Sequence, residues 1–494
     1  MFESAELGHK IDKETWKQEQ PRLREDLLGA QFELLEKDSF SVLILIAGVD
    51  GAGKGETVNT LNAWMDPRLI ETHALEAPTD EELLFPPAWR FWRVLPPRGR
   101  IGILFGSWYT MPILNRVLNG VDGPVLDQAI DDINRNERML ADEGTLLLKF
   151  WFHLSKKAQK KRLKKLEKDE KTRWRVTERD WERFANYDTF VDVCAHVLRR
   201  TNQGHAPWIV VEGADERYRH LTVGKTILGA MRRRLDQPAT ATTPVAVLPP
   251  LPVSGKNVIE SLDLSKRLEP DEYEERLETL QGRLNLLSRD ERFARSGVVA
   301  VFEGNDAAGK GGAIRRVTAA LDARRYRVHR IAAPSDEEQS HPYLWRFWRR
   351  IPPLGYFGIF DRSWYGRVLV ERIEGFADEH AWNRAYGEIS DFESELTRHG
   401  LVVLKFWLAI SPEEQARRFE ARKETGYKRF KLTEEDWRNR EKWDDYVRAV
   451  SDMVDRTSTE IAPWTLVEAE DKLWARIRVL ETFCERIEER LEAL

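Results

Sequence analysis

Cysteine is nearly absent: Cys194 and Cys484 are the only two in 494 residues. That excludes a disulfide framework and agrees with a reducing compartment. Long apolar runs are missing as well. No stretch approaches the roughly 20 residues that cross a bilayer, and the opening MFESAELGHK is too polar for a secretory signal. The expected location is therefore cytoplasmic, with no membrane partner. Charge of one sign is also lacking in excess. Lys and Arg number 78 against 83 Asp and Glu, a net charge of −5. Nothing in that balance favours bulk nucleic-acid binding. Any anion site has to be a local concentration of cations.

What is present is enough for more than one core. A chain with 41% hydrophobic and 33% charged residues is that of a globular protein, and its length calls for two or three domains. A phosphate-cradle signature occurs twice, as LILIAGVDGAGKGETVN from Leu43 and as VAVFEGNDAAGKGGAIR from Val299. A Gly-rich turn between an apolar strand and a helix wraps a phosphate with successive backbone N–H groups. The helix dipole adds to the attraction, and a Lys supplies a point charge.

The repeat extends far beyond the loop. APTDEE at Ala77 and APSDEE at Ala333, WRFWR at Trp89 and Trp345, and SWY at Ser107 and Ser363 all stand 256 residues apart. So do LKFW at Leu148 and Leu404, and APW at Ala206 and Ala462. A period this long means two copies of one domain rather than a solenoid. Residues 1–235 form the first copy and 256–494 the second. Between them 236–255, rich in Pro, Thr and Ala, reads as an extended spacer.

Within the second copy an amphipathic helix comes first, marked by Tyr273, Leu277, Leu280, Leu284 and Leu287. The strand GVVAVFEG, the loop and a helix near Gly311 follow. YRVHRIA, YFGIFD, LVVLKFWLAI and TLVEA are further strands separated by helical stretches. The fold class is α/β, a parallel sheet covered on both faces by helices. Phosphate ligands gather at the carboxyl ends of such strands.

The second loop supplies Gly304, Asn305, Asp306, Ala308, Gly309 and Lys310 to the cradle. Gly311 stands where a Ser or Thr would ordinarily bind Mg²⁺, so carboxylates and phosphates must hold the metal. Asp306, inside the loop, and Asp361, ending the run YFGIF at a Walker B position, are the candidates. Asp306 either shares Mg²⁺ or orients the acceptor. Arg315 and Arg316 on the following helix, Arg346, Arg349 and Arg350 in WRFWRR, and Arg362 and Arg367 in DRSWYGR supply guanidinium groups for a multiply charged substrate. The basic segment from Ala421 to Trp437 reads as a lid. The Trp residues at 345, 348, 364 and 407 recur at 89, 92, 108 and 151. Their retention in both copies favours packing over base stacking.

The first copy is an internal control. Asp50 and Lys54 remain, but Phe105 replaces Asp361 and Gly106 replaces Arg362. Asn59, Thr60, Val94 and Met111 stand opposite Arg315, Arg316, Arg350 and Arg367. Phosphoryl transfer depends on positioning and electrostatic stabilisation. The first copy is therefore expected to be degenerate and the second catalytic.

GNDAAGKGG, APSDEEQSHPYLWRFW, FDRSWYGRVLVERIEGF and KRFKLTEEDW together resemble polyphosphate kinase family 2, and the tandem arrangement is similar to its two-domain polyphosphate:AMP phosphotransferases. The resemblance implies a thymidylate-kinase-like P-loop fold with a helical lid. It also implies Mg²⁺-dependent transfer of the terminal phosphate of inorganic polyphosphate to AMP, giving ADP. By motif it places Asp306, Lys310 and Asp361 in the catalytic centre, Arg362 on phosphate, and Lys428 and Lys431 on the lid. Opposite Lys428 stands Thr172, a further departure of the first copy. The rival is a polyphosphate- or ATP-dependent kinase acting on another nucleotide such as ADP. No NKxD-type motif follows either loop, which argues against a GTPase. Fused copies also suggest that two chains could pair into a four-domain dimer.

Overall fold

The computed structural model describes residues 1–236, 258–424 and 434–494. The predicted spacer from 237 onward and the lid lysines Lys428 and Lys431 lie outside the described residues. The chain forms two compact units, one of Met1–Thr79, Ala88–Thr242 and Pro334–Arg346, the other of Asp80–Pro87, Thr243–Ala333 and Phe347–Leu494.

Each unit holds one five-stranded sheet. The first contains β1 (Val42–Gly48), β2 (Ile70–Ala74), β3 (Ile101–Phe105), β4 (Leu146–His153) and β5 (Trp208–Glu212), in the order β2-β3-β1-β4-β5. The second contains β6 (Gly297–Gly304), β7 (Tyr326–Arg330), β8 (Phe357–Asp361), β9 (Leu401–Ala409) and β10 (Trp464–Glu468), in the order β10-β9-β6-β8-β7. All pairings are parallel. These are the strands and the fold class expected from the sequence. Parallel strands are covered on both faces, which is why VVAVF and LVVLKFWLA read as unbroken apolar runs and are buried throughout.

The helices owe their ends to local chemistry. Helix Glu379–His399 is capped by Asp378, which accepts from the Ala381 N–H, and stops at Gly400 with φ +114°. Its Ile389, Phe392 and Leu396 are buried. Helix Pro270–Arg289 buries Tyr273, Leu280 and Leu284, with Leu277 and Leu287 partly covered, against a cluster that includes Leu480, Phe483 and Ile487. That is the amphipathic face read from the sequence.

SWY and LKFW, shared by both copies, prove to be structural. Lys405 Nζ lies 2.7 Å from Glu393 Oε2 and 2.7 Å from the Thr457 carbonyl. Tyr365 Oη and Trp364 Nε1 donate to Glu393 at 2.7 and 3.0 Å. The first unit repeats this with Lys149, Glu137, Tyr109 and Trp108. Burial pulls the Lys405 and Lys149 amines below the usual lysine range, against the pull of their glutamates. The other repeated Trp residues are buried as well, apart from half-buried Trp108, as expected of packing residues.

Candidate functional site

The loop of the second unit leaves the carboxyl end of β6, between β8 and β9. That is where strand order reverses and where α/β sheets bind ligands. Two features set its path. Gly304 has φ +145°, and a Cβ there would meet the Leu408 carbonyl oxygen at 2.4 Å, so no larger residue fits. Gly309, with φ +111°, turns the chain into helix Lys310–Ala319. The loop is then tied from beneath. Arg418, buried and ion-paired with Glu414, donates to the carbonyls of Ala307 and Ala308 at 3.0 Å each. Its other terminal nitrogen reaches Ala469 and Glu470 at 2.8 Å. Gln415 holds the Asp306 carbonyl at 3.2 Å, and Asn305 Oδ1 accepts from the Ile410 N–H at 3.1 Å.

Around this loop the charged groups converge. Lys310 Nζ donates to the Gly304 carbonyl at 2.7 Å. Asp306 accepts from Asn439 Nδ2 at 2.9 Å and faces Arg362 Nη2 at 3.3 Å. Burial works against its charge, but Lys310, Arg362 and Asn439 outweigh that and hold the carboxyl below its ordinary range. Asp361 lies beside Phe302 in register on the neighbouring strand, and its carboxylate has no hydrogen-bonding partner among the described residues. Arg362 sits at φ +64°, a region costly for a side chain of this size and common where function constrains the backbone. Glu303, buried, accepts from Ser363 Oγ at 2.8 Å. Burial pushes its carboxyl up, opposed by Ser363, Lys310 and Arg362.

A cavity opens here, lined by Glu303, Asp306, Arg362, Leu369, Val370, Trp407, Asn439, Trp443 and Tyr446 among others. Sequence reading missed Glu303, Arg418, Asn439, Trp443 and Tyr446. Asn439 lies on helix Glu434–Glu441 just past the described gap, and no loop motif includes it. The one available signal was the repeat itself, since Ala47 stands opposite Glu303 and Arg183 opposite Asn439.

The structure does not bring every predicted cation to the loop. Arg315 is exposed and donates to the Gly311 carbonyl. Arg346 is buried 3.4 Å from Glu338, and Arg367 pairs with Glu371 at 3.1 Å. Arg350 lies near His329.

In the first unit the cradle is neutralised from within. Asp50 faces Lys54 at 3.4 Å and Arg183 at 3.5 Å, while Lys54 Nζ donates to the Gly48 carbonyl at 2.6 Å. Glu56, where the second unit has Gly312, pairs with Arg162 and Arg219, each at 2.8 Å. Phe105 ends β3 in the place of Asp361. Gly106 has φ +91°, and a Cβ there would lie 2.1 Å from the Leu75 carbonyl oxygen. The backbone leaves no room for the missing arginine.

The donor set of the second unit suits a hard cation. Mg²⁺ is commonly held by one or two carboxylates together with substrate phosphates, and Asp361 offers oxygens that no protein group uses among the described residues.

The chain is similar to proteins of one family along its whole length. The family model for polyphosphate kinase 2 matches residues 10–238 and 267–493. A polyphosphate:AMP phosphotransferase of Pseudomonas aeruginosa is 58% identical over 489 residues, covering 99% of both chains. One from Acinetobacter johnsonii is 38% identical, with 94% of this chain and 95% of that one covered. A crystal structure from Pseudomonas aeruginosa PA01 assigned to polyphosphate kinase 2 superposes with a TM-score of 0.90 at 56% identity, covering all of both chains. Matched in both halves and along its whole length, the chain belongs to the polyphosphate kinase 2 family.

Proposed function

We propose that the second unit transfers the terminal phosphate of inorganic polyphosphate to AMP, giving ADP and a polyphosphate shortened by one phosphate. One contrast carries the assignment to this unit. Asp361, Arg362 and Asn439 complete the second cradle, whereas Phe105, Gly106 and the Asp50–Arg183 pair close the first.

The reaction forms a bond between an AMP phosphate oxygen and the terminal phosphorus and breaks the bridging P–O bond to the remaining chain. The AMP phosphate is largely ionised near neutral pH, so no dedicated base is required. Lys310 leaves the Gly304 carbonyl to meet the transferring phosphoryl group, to whose oxygens the loop N–H groups also donate. Arg362 adds a fixed positive charge beside them. Asp361 and Asp306 would hold Mg²⁺, which supplies further neutralisation of charge on the phosphates when bound. Asn439 and Arg362 fix the Asp306 carboxylate. The cavity beside the loop suits the acceptor, with Trp443 and Tyr446 available to its base.

The cytoplasm is the setting consistent with both cysteines being unpaired and buried and with no helix among the described residues long and apolar enough to cross a membrane. The test offers polyphosphate and ATP separately as donors, with AMP and with ADP as acceptors. ADP formed from polyphosphate and AMP is the expected product. Turnover with ATP alone would overturn the reading, and preference for ADP would reassign the acceptor.

A further inference from the structure

A second feature of the first unit is unused by this chemistry. Helix Lys156–Lys168, KKAQKKRLKKLEK, carries eight basic residues and a single Glu. Lys157, Lys160, Lys161, Lys164, Lys165 and Lys168 follow the spacing i, i+3, i+4, i+7, i+8, i+11, which places them on one helical face. All six are exposed, and none enters an ion pair or hydrogen bond among the described residues. Leu163 and Gln159 are buried on the opposite side. The lysine face runs about 16 Å along the axis.

This arrangement works against its own helix. Like charges at i,i+3 and i,i+4 repel. The first turn carries no acid and begins with two lysines, where the helix dipole favours negative charge. The repeat shows that the fold does not demand it. The matching helix of the second unit, Pro412–Glu424, has four basic and four acidic residues and opens with Glu413 and Glu414. Its charges pair among themselves, as in Arg417–Glu414 and Lys423–Glu420. A face of unanswered positive charge in a chain of net charge −5 fits a polyanion.

We propose that this lysine face is a second, non-catalytic binding surface for long-chain inorganic polyphosphate. The inference rests on the functional reading above, which makes polyphosphate the donor. Lysine ammonium groups are point charges without planar geometry, suited to a flexible phosphate chain. The helix itself carries no aromatic side chain, and the exposed Trp174 on the adjoining turn is a lone indole, whereas single-strand nucleic-acid sites combine cations with aromatic platforms for successive bases.

The experiment uses the full chain and a variant with the six lysines changed to Gln. Binding of fluorescently labelled polyphosphate of about one hundred phosphates is measured across a salt series. ADP formation from AMP and saturating short polyphosphate is assayed on the same preparations. The variant should bind the long chain at least tenfold more weakly. The slope of log affinity against log salt should become shallower by about 2 to 4, since fewer counterions are released. Turnover with the short donor should stay within twofold. Unchanged affinity and slope with turnover intact would overturn the proposal while leaving the functional reading standing. Absence of polyphosphate-dependent turnover in both proteins would instead tell against that reading. Single-stranded DNA binding the parent more tightly than polyphosphate, and lost in the variant, would assign the face to nucleic acid and also overturn it.

Discussion

Replacing Lys310 and, separately, Lys54 with Ala separates the two cradles most directly. Both lysines fold back onto their loops in the same way, at 2.7 Å from Gly304 O and 2.6 Å from Gly48 O. What differs is their company. Lys54 already faces Asp50 at 3.4 Å, with Arg183 answering the same carboxylate. Lys310 stands beside Asp306, whose charge Arg362 and Asn439 also hold. Losing one preorganised positive contact to the transferring group costs about 3–4 kcal/mol of transition-state stabilisation, a fall of roughly 10²–10³ in kcat. Lys310→Ala should show that loss in ADP formation at saturating AMP and polyphosphate. Lys54→Ala removes a partly shielded ion pair worth on the order of 1 kcal/mol, which shifts a melting midpoint by roughly 2–4 °C for a domain of this size. Its kcat should stay within about twofold of the parent. A comparable collapse of activity in the Lys54 variant, with unchanged circular dichroism, would refute the assignment of catalysis to the second unit alone.

Restoring the two missing residues in the first unit by Phe105→Asp with Gly106→Arg, on a Lys310→Ala background, should not recover turnover. The new side chain at 106 meets the Leu75 carbonyl at a Cβ distance of 2.1 Å, and rates near the parent level would show that the backbone adapts. Lys405→Met should lower stability by about 3–5 kcal/mol, because it leaves Glu393 buried without its counter-charge. Adding Glu393→Gln should recover part of that loss in chemical denaturation. His220 and His329 are both held down to about 4 from 6.5, chiefly by burial and then by the charges of Arg219 and Arg350 respectively. Each binds its proton less readily folded than unfolded. Their contribution to stability is therefore present above pH 6.5 and is lost as pH falls from 6.5 through about 4. Thermal melts should decline across that window, and a flatter decline is expected for His329→Gln.

Much of this protein was legible in its residues. Unbroken apolar runs and the 3.6-residue period report preferences that act over a few neighbours, so the strands, the helix face of Leu280 and Leu284, and the loop at Gly304 could be read directly. The duplication added a control within one chain, and Phe105 and Gly106 set against Asp361 and Arg362 mark which cradle lacks those two groups. The meaning of the shared motifs was not legible. The Trp residues of SWY and LKFW read as packing residues, but their sequence does not show the buried Lys405–Glu393 ion pair, with Tyr365 donating to the glutamate, that both units share. Arg346 and Arg367 look like phosphate ligands, but each has a carboxylate beside it. Asn439 reaches Asp306 across 133 residues of chain, and Arg418 holds the Ala308 carbonyl across 110. Sequence determined which groups this chain possesses and which local turns they take. Only the tertiary structure decided which charges answer one another, because that depends on distances set by packing between segments far apart in the chain.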